Sequence, residues 1–148
     1  MHVTANARAR GSVSELFRWW SDYTDGIVDE GGFASVTRKI ISRDGSAILM
    51  EDYFSKPLKF VDRIAVTLKP PSVIEFRGES RIWKTHGVYT FTQNGDFVDA
   101  VSETDLSPVG IWKLIFSLPF VRGRIERGFR EDLEGHLKEF EKDAGLER

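Results

Sequence analysis

The chain has 148 residues, 41% of them hydrophobic and 30% charged, which is the size and composition of one folded domain spanning residues 1–148. A formal net charge of -2 excludes general attraction to nucleic acid, and the absence of cysteine excludes disulfides, thiolate metal sites and cysteine nucleophiles. We find no signal peptide and no apolar run long enough to span a bilayer, so the sequence predicts a cytoplasmic protein.

The first elements are a strand and a short helix. Residues Val3–Arg10 alternate between apolar and polar side chains, which predicts a half-buried strand. Ser12 and Glu15 match a capping box, and apolar residues at helical spacing follow as far as Trp20, which predicts a short amphipathic helix. The acid- and glycine-rich segment Asp22–Gly32 predicts an irregular, exposed connection.

The middle of the chain predicts six antiparallel strands between Phe33 and Leu106, because β-branched and aromatic segments alternate there with turn signals. With the N-terminal strand, the sheet would have seven strands. The predicted turns lie at Asp44-Gly45, near Pro57, at Pro70-Pro71, around Gly78 and at Asn94-Gly95.

The turn at Asn94-Gly95 predicts which residues face each other, because a two-residue hairpin loop fixes the register of its strands. Phe91 would lie opposite Val98 on an apolar face. His86 would lie opposite Glu103 on the other face, toward water. We therefore interpret His86 as part of an exposed ion pair rather than as a general acid or base.

The hairpins predicted at Asp44-Gly45 and at Pro70-Pro71 do not give one apolar and one polar face in this simple way. A two-residue turn at Asp44-Gly45 pairs Arg38 with Glu51 and places Tyr53 on the same face, which leaves both faces mixed. These three residues would form either a surface salt bridge or a polar cluster inside a cavity. Around Pro70-Pro71 the apolar pattern requires a bulge or an odd loop length.

The last third of the chain is predicted to be helical. Ser107 and Pro108 form an N-terminal helix signal, and Gly145 is a stop signal. Pro119 predicts either a short helix ending near Ser117 and a long one beginning around Pro119, or one kinked helix. The basic Arg122 and Arg124 favour the kinked helix, because bases oppose the dipole at a helix N-terminus.

The segment Val109–Val121 is too apolar around its circumference for an exposed helix. Between Val109 and Arg130 the chain carries five bases and one acid, Glu126. Three interpretations follow. The region 109–130 makes transient contact with a membrane surface, or 109–121 is a buried lid with a basic flank, or it is a protein-interaction surface.

The order of a strand, a short helix, six antiparallel strands and a long terminal helix resembles the START-like (SRPBCC, helix-grip) superfamily. The likeness is carried by Val3–Arg10 with the Ser12–Trp20 helix, and by the closing stretch Arg127–Glu141. This superfamily includes polyketide cyclase/dehydrase-type and coenzyme Q-binding proteins. The resemblance implies an α+β fold in which a curved seven-stranded antiparallel sheet wraps around the C-terminal helix and holds an apolar ligand.

On this fold, the apolar sheet face and the long helix predict a cavity that binds a lipid, quinone or polyketide-like molecule. The predicted lining is mainly aromatic and comprises Tyr53, Ile64, Phe76, Trp83, Tyr89, Phe91, Trp112, Phe116 and Phe129. The protein would be a carrier or sensor, and a monomer or weak homodimer.

The alternative is a cyclase or dehydratase that uses polar groups inside the cavity. It requires that at least one ionisable side chain point inward, from the set Arg38, Glu51, Tyr53, Asp62 and Arg77. The three histidines lie in different elements without metal-ligand spacing, and no nucleotide-binding or nucleophile-elbow motif occurs. We assign no catalytic residue, metal ligand or cofactor from the sequence.

Overall fold

A computed structural model describes residues 1–30, 33–56 and 58–146, and the side chains of all of these except 29, 30 and 33–35. The elements are β1 (His2–Arg10), α1 (Val13–Ser21), β2 (Gly26–Glu30), β3 (Phe33–Asp44), β4 (Ala47–Lys56), β5 (Phe60–Lys69), β6 (Val73–Glu79), β7 (Trp83–Asn94), β8 (Phe97–Pro108), α2 (Trp112–Phe116) and α3 (Pro119–Asp143).

The strands form one curved antiparallel sheet in the order β1-β8-β7-β6-β5-β4-β3-β2, and α3 packs across its concave face along β1. The sheet has eight described strands rather than seven. The additional strand is β2, in the segment predicted to be irregular. It pairs with β3 at the sheet edge through backbone hydrogen bonds, which its glycine- and acid-rich sequence does not signal.

Two apolar clusters fill the space between the sheet and the helices. The first lies between α1, α3 and the middle of the sheet, where Leu16, Phe91 and Leu133 are buried. The second lies beneath α2 and contains Trp83 and Phe116. The helix α3 therefore has one buried face, which includes Leu133, Leu137 and Phe140.

The β7–β8 hairpin confirms the predicted faces but not the predicted partners. Its turn residues are Gly95 and Asp96, and Gly95 has a φ of 62°. Phe91 therefore pairs with Ala100, and His86 with Asp105. Every pair is shifted by two residues, and because side chains alternate with a period of two, a shift of two leaves each side chain on its predicted face.

The β3–β4 hairpin departs from the prediction because of a bulge. The register shifts between Ile40 and Ser42, so Ile41 is the extra residue. Beyond the bulge, Arg38 pairs with Asp52 rather than with Glu51. The predicted pairing was therefore wrong, both because the turn residues are Gly45 and Ser46 and because the bulge adds a shift of one residue. The inward face still carries the charged pair Arg38–Asp52.

The remaining connections differ in how well they were predicted. Strands β5 and β6 are joined by the three residues 70–72, which confirms the odd loop length. Gly78 lies inside β6, and the chain turns after Glu79 instead. Pro57 lies outside the described residues.

The helix boundaries follow their local signals in two of three cases. The Ser12 side chain caps α1, since its Oγ accepts the Glu15 N–H at 3.2 Å and donates to Glu15 Oε1 at 2.8 Å. Gly145, with a φ of 69°, follows the end of α3. Pro108, in contrast, ends β8 rather than beginning a helix.

The C-terminal region contains two helices, α2 and α3, and not one kinked helix. Leu118 adopts an extended conformation and Pro119 then begins α3, where its missing N–H costs no hydrogen bond. Within the described residues, no helix combines the length and the apolar character needed to cross a bilayer.

Candidate functional site

A cavity of about 160 Å³ lies between the concave face of the sheet and α3. The lining residues come from β3 to β8, α1 and α3, so the whole fold contributes to this space. They are Trp20, Tyr23, Arg38, Met50, Asp52, Phe54, Asp62, Ile64, Val66, Phe76, Trp83, Thr85, Tyr89, Leu106, Ile125, Gly128, Phe129, Asp132 and His136.

Five of the nine side chains predicted to form the cavity lie in its wall. They are Ile64, Phe76, Trp83, Tyr89 and Phe129. Phe76 and Tyr89 are neighbours in this wall, with ring centroids 5.5 Å apart. The wall is thus largely aromatic on the side formed by β6 and β7.

The other four predicted side chains lie elsewhere. Phe91 is buried in the first apolar cluster, 5.6 Å from the Trp20 ring. Trp112 and Phe116 belong to the cluster beneath α2. Tyr53 is 39% exposed on the convex face, because it alternates along β4 with the buried Asp52 and Phe54.

A row of charged residues crosses the cavity wall. Arg38 and Asp62 belong to the set of ionisable side chains that the sequence suggested could point inward, whereas Asp52 was not predicted. Arg38, Asp52 and Asp62 occupy paired positions on β3, β4 and β5. Arg38 Nε and Nη2 donate to the two carboxylate oxygens of Asp52, each at 2.9 Å, and Asp52 is fully buried. The sequence contains a base on β3 and an acid on β4 that could pair, but only the register set by the bulge shows that Arg38 and Asp52 face each other.

Asp62 lies directly opposite Asp52 and has no basic partner among the described residues. It is 6% exposed, and its Oδ2 accepts a long hydrogen bond of 3.5 Å from the Trp83 indole N–H. Its Oδ1 has no hydrogen-bond partner among the described residues. Three described buried side-chain atoms share this condition, at Arg10, Asp62 and Thr104, and of these Asp62 alone lines the cavity.

The environment of Asp62 raises the pKa of its carboxyl group from 3.8 to about 7. Burial is the largest cause, because it disfavours the charged form, and the negative charge of Asp52 adds to it. The Trp83 indole hydrogen bond and the nearby Glu79 backbone, which is not within hydrogen-bonding geometry of Oδ1, oppose the shift. Near neutral pH the cavity therefore contains a carboxyl group that is present in both protonation states.

A glycine leaves the space around Asp62 open. A Cβ atom on Gly78 would lie 2.5 Å from Thr85 Oγ1 and 3.1 Å from Asp62 Oδ1. Any larger residue would therefore press on the Thr85 hydroxyl and on the unpaired oxygen. Gly78, which the sequence suggested as a turn residue, instead permits close packing inside β6.

The cavity opens toward a broad groove of about 1440 Å³ between α1, the segment before β2 and the C-terminal half of α3. The residues that line both spaces include Trp20 and His136, whose rings stack with centroids 4.9 Å apart. We place the site in the smaller cavity, because it is the more enclosed space and contains the buried charges. The groove forms its entrance.

His86 lies on the convex face, as predicted, but with a different partner. Its Nε2 lies 2.8 Å from Glu75 Oε1. Hydrogen bonds from Lys69 and from His86 lower the pKa of Glu75 to about 2. This arrangement is an exposed ionic network outside the cavity. Among the described residues, no group of three potential ligands is arranged to hold a metal ion.

Comparison with known proteins gives matches at the level of structure. No protein-family model matches the chain, and no curated protein does either. The Zhui aromatase/cyclase from a Streptomyces species superposes with a TM-score of 0.78 at 15% identity, over 97% of this chain and 95% of that one.

Two further solved structures show the same similarity. A protein from Thermus thermophilus has a TM-score of 0.71 at 14% identity, over 96% of this chain and 95% of its own. A START superfamily protein from Mycobacterium smegmatis has a TM-score of 0.65 at 14% identity, over 93% and 97%. With α3 held against a curved antiparallel sheet, the chain therefore has the START-like helix-grip fold.

Proposed function

We propose that the cavity binds a small molecule with an apolar body about the size of one ring and one hydrogen-bonding group. The observation that carries this proposal is Asp62, a buried carboxyl group with an unpaired oxygen in an aromatic-walled cavity. An unpaired buried polar atom costs roughly 1–3 kcal/mol. A ligand hydroxyl that donates to the Asp62 carboxylate, or a ligand carbonyl that accepts from the protonated carboxyl group, therefore gains this interaction.

The volume of the cavity limits what it holds. An apolar cavity of about 150 Å³ accommodates a benzene-sized ring, and this cavity is of similar size at about 160 Å³. A longer molecule would extend past Trp20 and His136 into the groove. We therefore favour a ring-bearing ligand over a lipid whose acyl chains are wholly enclosed.

Binding of a phenolic probe tests the site directly. We expect 2-naphthol to bind the full chain in isothermal titration calorimetry, with its phenolic ring in the cavity and its second ring extending past Trp20 and His136 toward the groove. Asp62→Leu should weaken it at least about tenfold, because a hydrogen bond to a chargeable group contributes roughly 1.5–3 kcal/mol. Asp105→Asn, which changes an exposed carboxylate on the convex face, is the matched control.

A second pair of variants tests the cavity itself. Ile125→Trp places a larger side chain in the cavity wall and should abolish binding of 2-naphthol, whereas Ile111→Trp, on an exposed position, should leave it unchanged. Unaltered binding by both Ile125→Trp and Asp62→Leu would overturn the proposal. Native mass spectrometry of freshly isolated protein then identifies the molecule that co-purifies.

A cyclase or dehydratase is the second candidate, and the specific observation in its favour is again Asp62. A carboxyl group whose pKa is about 7 both accepts and donates a proton at neutral pH. As a base it would remove a proton from the methylene between two carbonyl groups. The enolate would then attack a ketone of the same chain, forming a carbon–carbon bond, and the carboxyl group would return the proton to the new alkoxide.

Asp62→Asn separates the two candidates. The amide keeps hydrogen-bonding groups in the cavity but does not exchange a proton near pH 7. For an enzyme, we expect this variant to bind 2-naphthol while losing the conversion of a linear poly-β-ketone thioester to an aromatic product, followed by absorbance. If the wild-type protein binds the probe but leaves the thioester unchanged, the carrier or sensor function is favoured.

A cytoplasmic location and a monomeric or weakly dimeric state stay predictions of the sequence. Size-exclusion chromatography with light scattering measures the second.

A further inference from the structure

The short helix α2 has two different apolar faces. Trp112 and Phe116 point inward, and the Phe116 ring lies 5.9 Å from that of Trp83. On the outward side the chain presents a set of exposed apolar side chains that we call the α2 tip. Its members are Ile111 (70% exposed), Leu114 (70%), Leu118 (41%) and Phe120 (75%).

Exposure of this degree identifies the α2 tip as a protrusion. Side chains that line a groove are partly covered by its walls, whereas the side chains of Ile111, Leu114 and Phe120 are each at least 70% exposed. Contact with water is unfavourable for such a cluster, which therefore indicates an interaction site. A protruding apolar cluster fits a deformable apolar medium better than it fits another rigid convex surface.

The charge around the α2 tip is positive. Lys113 lies within α2. In α3, Arg124 follows Phe120 by four residues and Arg127 follows Arg124 by three, so Phe120, Arg124 and Arg127 lie on one side of this helix. All three bases are exposed, and none has an ion-pair partner among the described residues. The acid of this segment, Glu126, is paired with Arg122 at 3.3 Å.

We propose that the α2 tip docks on the surface of a bilayer that contains anionic lipids. The four apolar side chains enter the boundary between headgroups and acyl chains, and Lys113, Arg124 and Arg127 meet lipid phosphates. The next turn of α3 carries Ile125, Gly128 and Phe129, which line the cavity. Docking would thus bring the cavity close to a source of apolar molecules, although the docking itself does not depend on what the cavity binds.

Vesicle flotation with the full chain tests this proposal. We expect binding to vesicles of phosphatidylcholine mixed with phosphatidylglycerol to be at least about tenfold stronger than binding to phosphatidylcholine alone, and to fall at high salt. Leu114→Ser with Phe120→Ser should reduce binding about tenfold or more. Arg124→Glu with Arg127→Glu should do the same for the mixed vesicles only.

Matched controls come from other surfaces of the chain. Ile27→Ser removes an apolar side chain that is 85% exposed on β2, and Lys138→Glu reverses an exposed charge further along α3; both should leave flotation unchanged. Circular dichroism confirms that each variant is folded. Three outcomes would each overturn the proposal. They are equal binding to both vesicle types, control variants that lose as much binding as the α2-tip variants, and no flotation together with a dimer that the α2-tip variants disrupt.

Discussion

The β3–β4 and β5–β6 parts of the concave face each bury an aspartate, but in opposite ways. Asp52 is held by two hydrogen bonds of 2.9 Å from Arg38. Within the part of the chain that the structure describes, Asp62, directly across from it, has no basic partner and one unpaired oxygen. A buried ion pair with both partners present is compensated, and a lone carboxyl group is not. This difference separates a residue that maintains the fold from one that is available to a ligand.

The largest effect should follow from breaking the compensated pair. Arg38→Met leaves Asp52 buried without its partner, and we expect a loss of about 3–5 kcal/mol in the free energy of unfolding, measured by urea denaturation. Arg63→Met is the control, because Arg63 is 77% exposed in its pair with Glu51 and should cost less than about 1 kcal/mol. Equal losses in the two variants would contradict the comparison.

The next effect concerns the pH dependence of Asp62. Its pKa is about 3.8 in the unfolded chain and about 7 in the folded protein, so the folded state binds this proton more tightly. Asp62 therefore makes the protein lose stability as the pH rises from about 4 to about 7, by up to roughly 4 kcal/mol.

Asp62→Asn should remove this loss, because the amide does not titrate in this range. Urea denaturation of wild type and variant across the same pH range measures the difference, and the exposed Asp22→Asn serves as the control. If the free energy of unfolding of wild type and of Asp62→Asn changes with pH in the same way, the Asp62 carboxylate is stabilised in the folded protein and the comparison fails.

A smaller effect should follow from closing the space around Asp62. Gly78→Ala places a methyl group 2.5 Å from Thr85 Oγ1, and we expect a cost of about 1–3 kcal/mol together with weaker binding of 2-naphthol. Gly123→Ala, in α3 with nothing within 4 Å, should be neutral or stabilising by up to about 1 kcal/mol. An unchanged melting temperature for Gly78→Ala would mean that the site is looser than described.

The smallest effect tests whether an unpaired atom by itself marks a site. Thr104 Oγ1 is buried without a partner among the described residues, but it lies outside the cavity wall. Thr104→Val should stabilise the protein by about 1 kcal/mol and leave binding of 2-naphthol unchanged. Thr92→Val, at an exposed position of β7, is the control for thermal unfolding. Weaker binding in Thr104→Val would extend the site along β8 from Leu106 to Thr104.

Local sequence signals were sufficient at two helix ends. The Ser12 cap of α1 and the stop at Gly145 each depend on residues within one or two turns of the chain. Pro119 marked a break but left two helices and one kinked helix open, and the helix start indicated by Pro108 was wrong. The faces of β7 and β8 also follow from the sequence, since a register error of two residues leaves a pattern with a period of two unchanged.

The position of the site required the tertiary structure. One bulge at Ile41 brings Arg38 and Asp52 together on the inward face, because a single extra residue shifts the β3–β4 register by an odd number of residues. Tyr53 points out because it alternates with Asp52 along β4. The edge strand β2 has no distinctive side-chain pattern, since its pairing uses the backbone. The two faces of α2 likewise depend on what covers them. Alternation and capping thus specify the elements, whereas strand pairing across the whole sheet places Asp62 in the cavity wall.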